Sequence, residues 1–323
     1  GEKRIASLNK GQLVGLNFER NCRPSILGNI IFGRVEALLN NLQAAFIDIG
    51  EEKLGYLGVA DARPYGSSSD DKIGDYLIEG EAILVQVTQS PVGGKGAKLT
   101  LKPVLTGNAL VFRPYQPELK ISKQIEDLKE RYRLKKIMDH EKTDSNGFII
   151  RTSAQKSTAA EIMEEATRLK RAWGDIQKKC GGAHPPKTIS KGTPVAQKLL
   201  RDHGRMHLNA LLTDDPETFK QLKAFTVEEM PEISCLIHLY KGKEPLFKAE
   251  GIEEIIETAL EPLVPLPNGG NIIINETSAL ICVDVNTGDT NQKSHEQMLR
   301  SLNIEAAEIF AQQIRLRNLS GLM

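Results

Sequence analysis

The chain has 323 residues, 40% hydrophobic, 26% charged and only 5% aromatic, a balance that excludes a disordered tract or one small domain and points to two or three packed domains. Lys plus Arg and Asp plus Glu number 42 each, so net charge alone selects no partner, and no apolar run approaches the ~18 residues a membrane-spanning helix needs. Four well-separated cysteines (Cys22, Cys180, Cys235, Cys282) form no CxxC pair, which argues against a cysteine-rich zinc site and for reduced thiols.

The chain opens on Gly1 rather than Met and shows no charged-then-apolar leader, so a cut ahead of it and no secretion are expected. Arg4–Glu19 alternates around Asn9-Lys10-Gly11 and predicts a β-hairpin, which Pro24 and Gly28 then interrupt. Short β-rich runs follow at Ile30–Val35, Ala44–Ile49, Leu54–Val59, Ala82–Thr88 and Leu99–Leu101. Asn40-Asn41, Gly50-Glu51, the polar Ser67–Asp71 tract and Pro91–Gly96 separate them, and this pattern predicts a small barrel of OB type. GFIIRT at 147–152 reads as a buried strand ending in two polar residues. Thr158 and Glu161 stand at capping-box spacing, and Ile162, Ala166, Leu169, Trp173 and Ile176 then mark one apolar helical face. Gly181-Gly182 ends that helix and Pro185-Pro186 blocks a restart. Beyond it the pattern predicts a helix over Thr193–Leu212, a strand over Ile233–Tyr240 and a helix over Ile252–Leu260. A tight turn at Pro267–Gly270 precedes a hairpin of Ile272–Ile274 with Ala279–Val283. That hairpin runs into Asp284-Val285-Asn286-Thr287-Gly288, and a long helix follows from about Glu296 to Arg317.

Charge is unevenly spread. Lys95–Lys191 carries 21 basic and 11 acidic residues, whereas Asp214–Glu261 carries 5 basic and 12 acidic ones. A basic middle suits a polyanion, although solvated helix faces give the same count. Asp284 at the tip of a strand, with the amide of Asn286 two residues on, offers oxygen ligands to a hard cation such as Mg²⁺; Asp-x-Asn-x-Gly is equally good turn chemistry. Arg151-Thr152 sets a two-pronged guanidinium beside a hydroxyl, a pairing suited to a terminal phosphate or simply to the surface. Phe46 and Tyr56 on the barrel strands could stack bases, with Lys95 and Lys98 following the phosphates; core aromatics and a solvated loop are the alternative. The GGKG around Lys95 lacks the spacing of a P-loop. His203 and His207, four apart, could chelate zinc, but no Glu follows His203 and no third ligand is evident.

Together these segments resemble the catalytic half of the ribonuclease E/G family, almost end to end. GNIIFGRV, LQAAFIDIG, GYLGV and GGKGAKLT resemble its OB-type RNA-binding insertion, and LTGNALV and GFIIRT its 5′-sensor. The opening hairpin and HLYKGKEPLF resemble its RNase H-like subdomain. LPNGGNIIINETSALICVDVNTG and NIEAAEIFAQQIRLRNLSGL resemble the start of its DNase I-like subdomain. The resemblance implies an α+β multidomain fold. Residues 1–28 and 191–265 would form the RNase H-like part, 29–104 the barrel, 105–190 the sensor and 266–323 an incomplete DNase I-like part.

The implied activity is Mg²⁺-dependent endonucleolytic cleavage of single-stranded, A/U-rich RNA in rRNA processing and mRNA decay, leaving 5′ phosphate and 3′ hydroxyl ends. Asp284 matches a catalytic, Mg²⁺-binding aspartate and Asn286 the asparagine that supports it. Arg151 and Thr152 match the pair that grips a 5′ monophosphate, with Gly107 and Val111 lining the same pocket. Phe46, Tyr56 and Lys95 match RNA-contacting positions, Tyr56 replacing a phenylalanine. The resemblance also implies a homo-oligomer and a bacterial cytoplasm, or an organelle of bacterial ancestry. Two departures stand out. Lys120 occupies a position that is usually Gly. The family's second Mg²⁺-binding aspartate would fall just past Met323, and its zinc-binding thiols later still, so a weakly active or inactive fragment is expected. A non-catalytic module that recognises RNA 5′ ends is the alternative.

Overall fold

Lys10 and Gly11 take positive φ values of 50° and 79°, the conformation a two-residue hairpin turn requires. The chain therefore folds back on itself at once, pairing β1 (Glu2–Asn9) with β2 (Gln12–Arg20). The computed structural model describes residues 1–20, 24–91, 94–141, 143, 145–204, 208–277, 280–288 and 295–323. Cys22 and His207 lie outside the described residues. Two compact units emerge: Pro24–Leu211 with Lys220–Ile237, and Gly1–Arg23 with Leu212–Phe219 and His238–Met323.

In the first of these units, β3 (Ile30–Leu39), β4 (Ala44–Asp48), β5 (Gly55–Gly58), β6 (Ala82–Gln89) and β7 (Lys98–Thr100) pair in the order β3-β4-β5-β7-β6. β6 returns to β3 and closes a five-stranded barrel, compatible with the expected OB type. Alternation along each strand sends Ala45, Ile47, Leu57, Val85, Val87 and Leu99 into the barrel core. A short helix, α1 (Val59–Ala62), caps it with Ala62. Register shifts at Val35/Ala37 and Val87/Gln89 give the strands the extra bend that closure needs.

A second layer follows in the same unit. β8 (Leu105–Thr106), β9 (Leu110–Arg113), β10 (Leu119–Ile121) and β11 (Gly147–Ile150) form a sheet in the order β10-β11-β9-β8. Lys120 sits within β10, paired with Ile149, so a side chain there is compatible with a regular strand. Helices α2 (Leu128–Met138) and α3 (Ala159–Gly181) cover the sheet. The expected capping box is formed by Thr158 and Glu161, and all five apolar-face residues of α3 are buried with Phe112 and Phe148. β12 (Lys187–Ser190) then pairs back onto β3.

Two expectations about elements need correction. Thr193–Leu212 is not one helix: α4 (Val195–Leu199) continues for a wider turn to Gly204, a poor helix residue, and Leu211–Thr213 is a strand. Ile233–Tyr240 is not one strand: its first half belongs to a 3₁₀ segment, Pro231–Leu236, opened by its proline, and only Ile237–Leu239 is a strand.

The other unit contains the opening hairpin, the helix Ile252–Leu260 and a three-stranded sheet of Leu263–Pro265, Asn271–Glu276 and Ile281–Asn286. The long helix His295–Leu316 lays Leu302 and Ala306 over Ile272, Ile274 and Ile281. Among the described residues, no helix is long and apolar enough to cross a membrane.

Candidate functional site

β11 ends at Ile150, and the chain then turns sharply into a 3₁₀ segment, Thr152–Lys156. The turn places Arg151 and Thr152 at the mouth of the β8–β9 connection. Arg151 N–H donates to Ala109 O at 2.8 Å, and its Nη1 donates to Gly107 O at 2.9 Å and Asn108 O at 3.4 Å. Its Nη2 pairs with the Asp202 carboxylate. Thr152 Oγ1 donates to Gln124 Oε1 at 3.0 Å and lies 3.2 Å from Ser122 Oγ. Arg151 is thus held at the Gly107 loop, whereas the Thr152 hydroxyl is held by Gln124 and Ser122. Val111 sits further back on β9, half-buried and paired with Ile149 and Thr106.

The loop itself rests on Glu165 of α3. This carboxylate is only 8% exposed, and it accepts from Ala109 N–H with both oxygens (3.0 and 3.1 Å) and from Leu110 N–H at 3.0 Å. Burial pushes its pKa up, outweighing those N–H groups and Arg168, which pull it down. Gly107 is a glycine for the same reason: a Cβ there would lie 2.0 Å from Glu165 Oε1. The close neighbour of that backbone is therefore a carboxylate of the chain itself. Sequence reasoning missed Glu165. Its place three residues after Ile162 and four before Leu169 puts it on the apolar face of α3, the signal that could have found it.

The barrel residues fall into a row. Phe46 pairs with Tyr56 across β4 and β5, and Tyr56 with Lys98 across β5 and β7. Their neighbours Ala45, Ile47, Leu57 and Leu99 point into the core, so all three face outward. The two rings meet edge-on at 6.3 Å, and Tyr56 remains 38% exposed. Lys98 Nζ lies 3.1 Å from Asp61, a half-exposed pair that a phosphate can compete with. Lys95 is exposed just before β7. These residues offer a stacking surface beside cationic groups, the arrangement that holds a single strand.

In the other unit, the strand Ile281–Asn286 runs on past Asp284 rather than ending there. Ile281 and Val283 face the core, whereas Asp284 and Asn286, two residues apart, share the opposite face. Asp284 is exposed, opposite Ile273 in the register. Asn286 Nδ2 donates to Asn271 Oδ1 at 3.3 Å. The turn between the first two strands of this sheet packs hard against the exit of Ile281–Asn286. Gly270, at φ 85°, would place a Cβ 2.4 Å from Asn286 O, so only glycine fits. An exposed carboxylate next to an amide oxygen is an all-oxygen donor set and suits a hard cation such as Mg²⁺. Among the described residues no group of three His, Cys, Asp or Glu side chains could hold a metal ion.

The model of the Ribonuclease E/G family matches residues 104–323. The chain is 36% identical to Ribonuclease G of Haemophilus influenzae and 35% identical to Ribonuclease G of Escherichia coli K12, in each case over all of this chain and 68% of the relative. It is 33% identical to Ribonuclease E of Haemophilus influenzae, over all of this chain and 35% of that protein. Because the family match takes in both the Arg151 pocket and the Asp284 strand, and the relatives extend it along every residue, the chain belongs to the ribonuclease E/G family.

Proposed function

We propose that the chain is the RNA-binding and phosphodiester-cleaving part of an endoribonuclease that acts on single-stranded RNA and senses a 5′-terminal monophosphate. The observation that carries this reading is the anchoring of Arg151 on the Gly107 and Asn108 carbonyls, with the hydroxyl of Thr152 next in sequence, in a chain whose relatives are ribonucleases. The guanidinium and the hydroxyl bind phosphate oxygens. The row Phe46, Tyr56 and Lys98, with Lys95 nearby, stacks bases and follows the backbone. Val111 lines the pocket from β9. Asp284, supported by Asn286, holds Mg²⁺ on its strand face. Bound Mg²⁺ supplies charge neutralisation at the scissile phosphate and a more acidic water. This reading also divides the chain into RNase H-like parts at 1–28 and 191–265, a barrel at 29–104, a sensor at 105–190 and a DNase I-like part at 266–323. Assembly into a homo-oligomer and a cytoplasmic location belong to the same proposal.

The test compares single-stranded RNA carrying a 5′ monophosphate, triphosphate or hydroxyl, for the chain and for Arg151→Ala. The expected result is a preference for the monophosphate that the variant loses; equal discrimination by the variant refutes the pocket. Product analysis with Mg²⁺ and with EDTA tests the chemistry. A second reading is an RNA-binding module that does not cut. Tight, monophosphate-selective binding with no turnover in Mg²⁺ would select it.

A further inference from the structure

Asp202 has no part in the reading above, yet it pairs with Nη2 of Arg151, a nitrogen that a phosphate needs for a two-point grip. The pair is part-buried, with side chains 21% and 32% exposed. Asp202 is also held in place from behind. Leu200 is buried, and Arg201 is fixed by Glu229 (Nε to Oε2 2.9 Å, Nη2 to Oε1 2.7 Å), by Thr193 Oγ1 at 3.0 Å and over the Phe225 ring at 5.1 Å. Arg151 does not depend on Asp202 for its orientation, because Gly107 O and Asn108 O already anchor Nη1.

We propose that Asp202 is a resident anion on the phosphate pocket, a competitor that an RNA 5′-terminal monophosphate must displace from Arg151. The proposal rests on the pocket assigned above. A terminal monophosphate carries about −1.5 to −2 charges at pH 7. Its apparent affinity falls in proportion to the fraction of molecules in which Arg151 is released. Asp202 therefore sets how tightly a 5′ end is held, and an RNA without a terminal phosphate does not engage in the exchange.

The test uses the full chain as wild type, Asp202→Asn, Arg151→Ala and the double variant. Binding of one single-stranded oligoribonucleotide, with a 5′ monophosphate or a 5′ hydroxyl, is measured by fluorescence anisotropy in EDTA. Removing the competitor in Asp202→Asn is expected to tighten monophosphate binding by about two- to fivefold, the range for a part-exposed ion pair. The hydroxyl RNA should be unaffected, and the gain should vanish in the double variant. No gain, an equal gain for both ends, or a loss restored by Asp202→Glu overturns the proposal. If Arg151→Ala alone keeps the wild-type preference, the pocket itself is refuted, a result read without any change at Asp202.

Discussion

The Arg151 pocket and the Asp284 strand are built in opposite ways. In the pocket the functional groups are already engaged: a buried carboxylate holds the loop, two carbonyls and an aspartate hold the guanidinium, and Gln124 holds the hydroxyl, while Asn108 Oδ1 is buried without a hydrogen-bond partner among the described residues. Its geometry is set before any ligand arrives, and ligand binding becomes an exchange of one anion for another. On the strand Ile281–Asn286 the Asp284 carboxylate faces solvent, and nearby Asn286 donates to Asn271. A preorganised site suits recognition. An open one suits a cation that brings water and phosphate oxygens as further ligands.

The largest effect that would sharpen this contrast is expected at Asp284. Replacing it with Asn should lower Mg²⁺-dependent cleavage by at least about a hundredfold while leaving monophosphate binding intact. Cleavage at the wild-type rate would break the contrast, because the open strand would then have no part in the chemistry. Glu165→Ala comes next. It strands the Ala109 and Leu110 N–H groups inside the protein, and a loss of about 2–3 kcal/mol is expected in urea unfolding of the pocket's unit. Its titration gives a further handle. Because burial raises its pKa in the folded chain, its stabilising contribution is full below about 4.5 and is lost as pH rises through the higher folded value. Glu165→Gln should flatten that decline in the urea midpoint. Glu229, also buried, shows the reverse sign. Burial pushes its pKa up, but Arg201 and Arg168 more than reverse that, so its contribution is lost as pH falls below its depressed value.

Smaller effects belong to the barrel. Tyr56→Ala should weaken single-strand binding by about 1–2 kcal/mol, whereas Tyr56→Phe should bind like the parent, since the face of the ring does the stacking. Lys98→Ala should weaken binding by less than about 1 kcal/mol, because Asp61 already engages the ammonium group. Its signature would be a salt dependence shallower by about 0.7 in log-log slope.

What could be read from the sequence was local. The capping box of α3, its apolar face, the GFIIRT strand and the barrel strands are short-range signals, and each took its expected form. The row of Phe46, Tyr56 and Lys98 was visible as residue types but not as a row, because it depends on register between strands. Asp202 was invisible, since only the tertiary fold brings it to Arg151 across 51 residues. The misread helix over Thr193–Leu212 shows the same limit: its apolar spacing was compatible with a helix, but Leu211 and Thr213 found a strand partner instead.

The pairing of β12 with β3 has a consequence for biogenesis. The early half of β3 is bordered by β6 on one side and by β12 on the other, and Gly192 N–H donates to Asn29 Oδ1 at 2.7 Å across 163 residues. During synthesis, a nascent chain that has emerged only as far as β7 has all five strands of the closed barrel but still lacks the strand that borders the other side of early β3. Pairing along that side of β3 must wait until the intervening residues up to β12 have been translated.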